Sequence, residues 1–472
     1  MSSKTAGIKK YPLSEVQFVD LMQSLTVLLH PQAGNIPISV LLEKDIDLDI
    51  LRRALDIEVQ RNDSLRNRIK ITLSGIRQSF LPSKDLGKIP FDDLLGKSKD
   101  EFDQYIRMNN SKPLAVFRGK SFRLRFFRAP DGRYGIHGVF SHVCMDATAV
   151  LLFYRDLIAV YLALRDGKEL PSPLDSFENI LQKELELFSN KEKKARTVKF
   201  YEEYLSEGGP AFYAGVDGMR ELNRERARRK DPNFRTVNMI HPLSDKSATL
   251  KLRIEGETVR KMEAFCLENR VSLQSLFQLG MRTHLSYINE RTEDVSLFVI
   301  VSRRATLADM NSGGSKALAH VMRTIIPEDT TFAQGLTAVD RCNLKLFHHA
   351  DYSSLDEVYQ QARMEKIPKT YTSLPLLFTC FPKEMLRVPE GMDCEFFGMG
   401  TGHFVYGLYV MLIPDLKNGG YDVYYEYQTK RITREDILLL HENMLKIVDL
   451  GLKDPDITIS ELFGAVAKDN IV

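Results

Sequence analysis

Residues 121–164 constrain the fold of this chain more than any other stretch. Ser121-Phe122-Arg123-Leu124-Arg125-Phe126-Phe127-Arg128 alternates apolar and basic residues, the period of a strand with one buried face. Ala129-Pro130-Asp131-Gly132 is a turn, because proline presets one backbone angle and glycine accepts a positive φ. Residues 133–140 return as the second strand of a hairpin. From Ala147 apolar residues recur at helical spacing as far as Leu164, and Gly167 stops the run. A hairpin followed at once by a long apolar helix predicts a sheet with a helix laid against it.

The junction between hairpin and helix reads Phe140-Ser141-His142-Val143-Cys144-Met145-Asp146-Ala147. Such a junction can place an imidazole at the mouth of a cleft, with a carboxylate nearby to fix the surrounding backbone. A neutral imidazole titrates near physiological pH, so it can take a proton from an amine, alcohol or thiol about to attack a carbonyl. Each residue also has a structural reading. Asp146 immediately precedes the helix, and aspartate is a preferred N-cap. A histidine at a strand end is commonly a satisfied structural residue.

At 472 residues the chain is too long for one ordinary core, so two subdomains are expected. The formal net charge of +2 gives no argument for nucleic acid or a membrane surface as partner. No apolar stretch reads as long enough to span a bilayer. The N-terminal residues 1–10 lack the apolar core of a signal peptide. A cytoplasmic monomer is the expectation.

Cys144, Cys266, Cys342, Cys380 and Cys394 are odd in number and form no CxxC pair, against both a disulfide framework and a zinc site. Cys144 lies inside the key segment, but its neighbours Val143 and Met145 are apolar and nothing nearby clearly lowers its pKa, so it reads as a buried structural thiol. No glycine-rich phosphate loop of Walker or dinucleotide type is present. Gly398-Met399-Gly400-Thr401-Gly402 reads as a loop needing unusual backbone angles.

Elsewhere the pattern predicts helices over 13–28, 48–59 and 99–108, and strands over 36–42 and 69–80. Pro171-Ser172-Pro173 ends this half. A charged helix is expected over 177–205, followed by an irregular connection, 208–233. The arginine-rich segment 220–235 is either a solvated loop or a docking patch for an acidic partner. The second half predicts strands over 248–254, 295–301, 373–381, 404–413 and 421–428, and helices over 257–269, 272–289, 331–347, 354–364 and a last one over 434–450. Strand and helix groups alternate in both halves, which suggests two α/β sandwich-like lobes. The expected division is 1–175, 176–247 as a connection, and 248–472.

Several motifs, in one order, resemble those of a known family. Tyr11-Pro12-Leu13-Ser14-Glu15-Val16-Gln17 is similar to an opening S-x-x-Q motif, Arg61-Asn62-Asp63-Ser64-Leu65-Arg66 to R-H-E-x-L-R, and Ser141-His142-Val143-Cys144-Met145-Asp146-Ala147 to H-H-x-x-x-D-G. Phe200-Tyr201-Glu202-Glu203-Tyr204-Leu205 resembles the start of an interlobe segment. Val301-Ser302-Arg303-Arg304 resembles a strand-end "sGR" signature. His320-Val321-Met322-Arg323-Thr324-Ile325-Ile326-Pro327 looks like a diverged F-V-N-T-L-P-L. The C-terminal stretch, from Tyr424-Tyr425-Glu426-Tyr427 to Ile459-Ser460-Glu461-Leu462, is similar as well. Over nearly its whole length the chain thus resembles the condensation domains of nonribosomal peptide synthetases, within the chloramphenicol-acetyltransferase-like superfamily.

The resemblance implies two lobes of that fold meeting in a V, with His142 in a tunnel between them. It implies an acyl thioester on the phosphopantetheine arm of a carrier protein, and an amine or hydroxyl acceptor arriving from the other face. His142 would act as base or position the nucleophile. Asp146 would pair with an arginine and hold the loop, with Arg61, Arg66 and Arg304 as candidates. Ser141 stands where the family has its first histidine, Ala147 where it has glycine, and Arg323 where a later motif has asparagine. Ala147 could narrow the channel or shift a backbone N–H that would stabilise the oxyanion.

Three functions follow as expectations. The first is a free-standing acyltransferase fed in trans by a carrier protein, with no metal or redox cofactor, making an amide or ester. The second takes acyl-CoA as donor. The third is a condensation-like domain that has lost catalysis and serves as a docking module.

Overall fold

The Phe122–Arg128 and Tyr134–Ser141 strands pair antiparallel along their whole length, from Phe122 opposite Phe140 to Arg128 opposite Tyr134. Gly132 takes a φ of 89° in the turn between them, as its position after Pro130-Asp131 requires. The computed structural model describes residues 8–27, 29–239, 245–398 and 400–469.

The described chain groups into two units, each assembled from separated segments. The first takes in residues up to Asn190 together with Ser302–Ala317 and Lys383–Val405, and the second takes in Lys191–Val301, Leu318–Pro382 and the residues from Tyr406 onward. These bounds differ from the linear division at 175 and 247, because two segments distant in sequence pack with the first unit.

The first unit holds a five-stranded sheet in the order Glu395–Phe397, Asn35–Leu41, Tyr134–Ser141, Phe122–Arg128, Phe91–Asp93. Its central strand Tyr134–Ser141 is buried at every position but Tyr134. The Ala147–Arg165 helix packs on this sheet through Ala149, Val150, Phe153, Tyr154 and Leu157, which share a core with Val40, Leu51, Leu55, Ile136 and Phe140. By length and composition this helix could cross a membrane, which corrects the expectation that no stretch could. In the fold it is the core helix of its unit, with 72% of its apolar window buried.

The second unit is built on a six-stranded sheet in the order Leu318–Ile325, Asp294–Val301, Leu377–Cys380, Leu408–Pro414, Tyr421–Gln428, Ser247–Ile254. Leu377–Cys380 runs parallel to both neighbours and the other pairs are antiparallel. The Leu273–Ile288 helix, capped by Ser272 as its sequence predicts, is buried from Ser275 to Ser286.

Several elements differ from the sequence expectation, among them the strand expected over 69–80, which is a hairpin of Asn67–Thr72 and Gly75–Phe80. The helix expected over 177–205 is two, Phe177–Ser189 and Lys191–Ser206, broken at an extended Asn190. The irregular connection contains a helix, Arg220–Arg229, whose composition favours helix but whose apolar periodicity rests on Leu222 alone. Leu318–Ile325, which the sequence presents only as a motif, is a strand. A further helix, Ile459–Asp469, follows Arg434–Lys453. In the glycine-rich loop Gly402 has a φ of 84°, and Met399 lies outside the described residues.

Candidate active site

The strand Tyr134–Ser141 ends one residue before His142, whose amide donates to the Gly34 carbonyl at 3.0 Å. The Ser141 carbonyl then accepts the amides of Cys144 (2.9 Å) and Met145 (3.1 Å), a tight turn that delivers Asp146 to the helix start. A buried glutamine holds this turn from outside. Ser14 and Gln17 form a capping box on the Glu15–Thr26 helix, and Gln17 Nε2 donates to the Val143 carbonyl at 3.0 Å and to Gln78 Oε1 at 3.0 Å. The S-x-x-Q resemblance therefore has a local physical content: one residue caps its own helix and the other clamps the histidine loop.

Asp146 is buried and fully committed. Its Oδ1 accepts the Ala149 amide at 2.8 Å, the N-cap bond its position predicts. Arg304 Nη2 donates to Oδ1 at 3.0 Å and to Oδ2 at 3.2 Å, and Oδ2 also accepts the amides of Lys316 (2.9 Å) and Ala317 (3.2 Å). Burial alone would raise this carboxyl, but the Arg304 charge and the Ala149 and Lys316 amides outweigh it and hold the pKa below the usual carboxylate range. Arg304 Nη1 is spent on the carbonyls of Asp309 and Ser312, and Nη2 reaches that of Gly314. Gly314 has a φ of 86°, and a Cβ there would overlap the Phe177 ring, so only glycine lets this loop approach.

His142 differs from Asp146 in being partly open. Its side chain is 37% exposed while Nδ1 itself is buried, so the exposure lies on the other side-chain atoms. Nδ1 stands 3.1 Å from Oδ2 of Asp20, a carboxylate only 6% exposed, at ion-pair distance but off the line of a ring hydrogen bond. That same oxygen accepts Ser315 Oγ at 2.8 Å. Burial works against the charged ring, yet the charge and proximity of Asp20, aided by the charge of Asp146 and by a bond to the backbone of His142 itself, raise His142 to about 9.

Sequence reasoning missed Asp20. The available signal was its place on a helix whose inward positions, Val16 and Val19, are apolar and fully buried. An acid on a core-facing stripe needs a partner.

The remaining expected residues have distinct places. Among the three arginine candidates, Arg304 is the one bonded to Asp146. Arg61, at the end of the Leu48–Arg61 helix, pairs with Asp156 at 3.0 Å and donates to the carbonyls of Pro171 and Ser172. Arg66 donates to the carbonyls of Leu81 and Gln60, each at 3.0 Å. Ser141 is buried and Ala147 opens the helix. Cys144 is 1% exposed, and burial above all pushes its thiol up to about 12, as its apolar neighbours suggested.

In the second unit Arg323 is locked by a buried ion pair with Asp294 at 2.7 Å. On the Arg220–Arg229 helix every arginine has an internal partner. Arg220 bonds Asp436, Arg224 donates to the Arg220 carbonyl, Arg226 to the Phe234 carbonyl and Arg228 to Glu225, while Arg229 lies over the Phe234 and Tyr371 rings. These bonds give no support to the segment as a docking patch of free cations.

A family model described as condensation domain matches residues 8–468. The chain belongs to the condensation domain family. Members of this family are amide-forming acyltransferases that work with carrier proteins bearing phosphopantetheine. Among its relatives, the dimodular nonribosomal peptide synthase of Bacillus subtilis (strain 168) is 24% identical over 91% of this chain and 18% of its own length. Bacitracin synthase 1 of Bacillus licheniformis is 21% identical over 91% of this chain and 8% of its own. This condensation domain thus spans less than a fifth of the length of each of these two relatives.

Among solved structures, the first condensation domain of the CDA synthetase aligns with a TM-score of 0.79 at 17% identity, covering 96% of this chain and 98% of that one. The starter condensation domain of rhizomide synthetase, a mutant in complex with C8-CoA, aligns at 0.77 and 15% identity, covering 96% and 97%. The fold is accordingly the two-lobed chloramphenicol-acetyltransferase-like one.

Proposed function

We propose that this condensation domain transfers an acyl group from a phosphopantetheine thioester on a carrier protein to an amine or hydroxyl acceptor, with His142 as the proton-transfer group. One observation carries the reading. Of the two polar motif side chains, Asp146 is saturated with bonds while His142 keeps part of its side chain open. In the reaction the acceptor nitrogen or oxygen bonds to the thioester carbonyl carbon as its proton passes to His142. The carbon–sulfur bond then breaks, and the sulfur leaves with that proton as a thiol. A thioester needs little activation of its leaving group, so positioning and a base are the contributions required of the protein.

Acyl-CoA carries the same arm and is the second donor to test, a choice supported by the related rhizomide starter domain having been crystallised with C8-CoA. The test is thiol release from acyl-pantetheine, acyl-CoA and acyl-carrier-protein donors with mixed amine and alcohol acceptors. Wild type and His142→Ala are run side by side. Acceptor-dependent release that falls on the order of 100-fold or more in the variant is expected. Full activity in His142→Ala would reject the mechanism, and the preferred donor separates carrier protein from CoA.

A further inference from the structure

We propose that Asp20 is a positioning residue for His142: its buried carboxylate holds the proton on Nδ1 and leaves Nε2 to exchange protons with the reactants. The inference rests on the proposed role of His142 and adds a residue outside the histidine motif.

The geometry comes from three elements. His142 is fixed at its strand end by its own amide bond to Gly34. Asp20 projects from the Glu15–Thr26 helix, where the capping box and the Gln17–Val143 bond set that helix against the histidine loop. Ser315, on the loop that also supplies Lys316 and Ala317 to Asp146, donates to the carboxylate oxygen facing the ring. A carboxylate 3.1 Å from Nδ1 favours the tautomer with hydrogen there, so the lone pair of the neutral ring lies on Nε2. When Nε2 takes the acceptor's proton, the positive ring forms beside a negative group already in place, with no reorganisation at the moment of reaction.

The charged and titratable groups bearing on the ring are these. Asp20 faces it directly from the first helix, and Asp146 acts from the helix start with its own charge bound to Arg304. The Cys144 thiol interacts with Asp20 and with Lys84, and stays neutral through burial. The two carboxylates, together with a bond to the backbone of His142 itself, outweigh burial and favour the imidazolium. The acid limb of kcat/KM is therefore expected near pH 9, well above the ordinary histidine value.

Two measurements test this, one of which needs no substrate. The protein is labelled with histidine carrying carbon-13 at Cε1, and the His142 signal is assigned by its loss in His142→Ala. Its titration is followed in wild type and in Asp20→Asn, with circular dichroism checking the fold of the variant. A wild-type midpoint near 9 that drops by at least about one pH unit in Asp20→Asn is expected. A wild-type midpoint near 6.5, or no change in the variant, overturns the proposal. If Asp20→Asn does not fold, the wild-type midpoint alone decides.

The second measurement is the pH profile of acyl transfer. In Asp20→Asn the acid limb should move down with the NMR midpoint, and kcat on the alkaline plateau, above both midpoints, should fall on the order of 100-fold with KM little changed. His142-dependent transfer that is indifferent to Asp20→Asn would overturn the positioning role and leave the proposed function intact. A shifted titration without transfer from any donor would keep the Asp20–His142 pair and reject the acyltransferase reading.

Discussion

At the scale of single residues, the two polar members of the histidine motif do opposite work. Asp146 is a structural anion whose four donors come from two segments far apart in sequence. Removing its charge leaves the Arg304 guanidinium, 7% exposed as a residue, buried without a counter-ion. Losing one partner of such a pair costs about 3 kcal/mol or more. Asp146→Asn is therefore expected to lower Tm by roughly 5–10 °C, with the loss read by calorimetry at constant pH. Adding Arg304→Met should recover part of it, since a charge no longer needs burying. An Asp146→Asn protein as stable as wild type would mean that the bridge is not a structural support.

At the scale of elements, the histidine loop is held by the packing between the central strand and the long apolar helix. Gly138 marks how close that packing is. A Cβ there would overlap both Phe140 Cε2 and the Tyr154 hydroxyl, which itself donates to the Ile38 carbonyl at 2.6 Å. Neither side chain has room to retreat, as both are fully buried. Gly138→Ala is expected to destabilise by about 2–3 kcal/mol through overpacking, measured by denaturant unfolding, and to disturb the His142 signal in the same spectra. A neutral effect would show that the sheet and helix can separate without cost. The hairpin, its turn and the helix with its Asp146 cap were all legible in the sequence, because alternation, Pro-Asp-Gly chemistry and 3.6-residue periodicity are local. The Arg220–Arg229 helix was not legible, since its stability rests on internal ion pairs and ring contacts rather than on an apolar stripe.

At the scale of the whole molecule, the first unit is not a contiguous stretch of chain. It draws Arg304, the Lys316 amide and the Glu395–Phe397 strand from segments far beyond residue 190. A fragment ending at Asn190 would keep the histidine motif but leave Asp146 without its guanidinium and the Asn35–Leu41 strand without one neighbour. Such a fragment is expected to lack a cooperative unfolding transition and the near-ultraviolet circular dichroism of the intact chain. A sharp transition with intact signal would show that the later segments are dispensable for the fold.

The sequence by itself determined the alternation of strands and helices, the position of His142 at a strand end, the cap role of Asp146 and the inertness of Cys144. All four depend on residues close together along the chain. Only the tertiary structure decided which arginine meets Asp146, because Arg61, Arg66 and Arg304 are equivalent as cations and differ only in where the fold puts them. The same holds for Asp20. A carboxylate on an apolar helix face announces that it needs a partner, but its distance to an imidazole more than a hundred residues away is set by the packing of the helix, the strand end and the glycine loop.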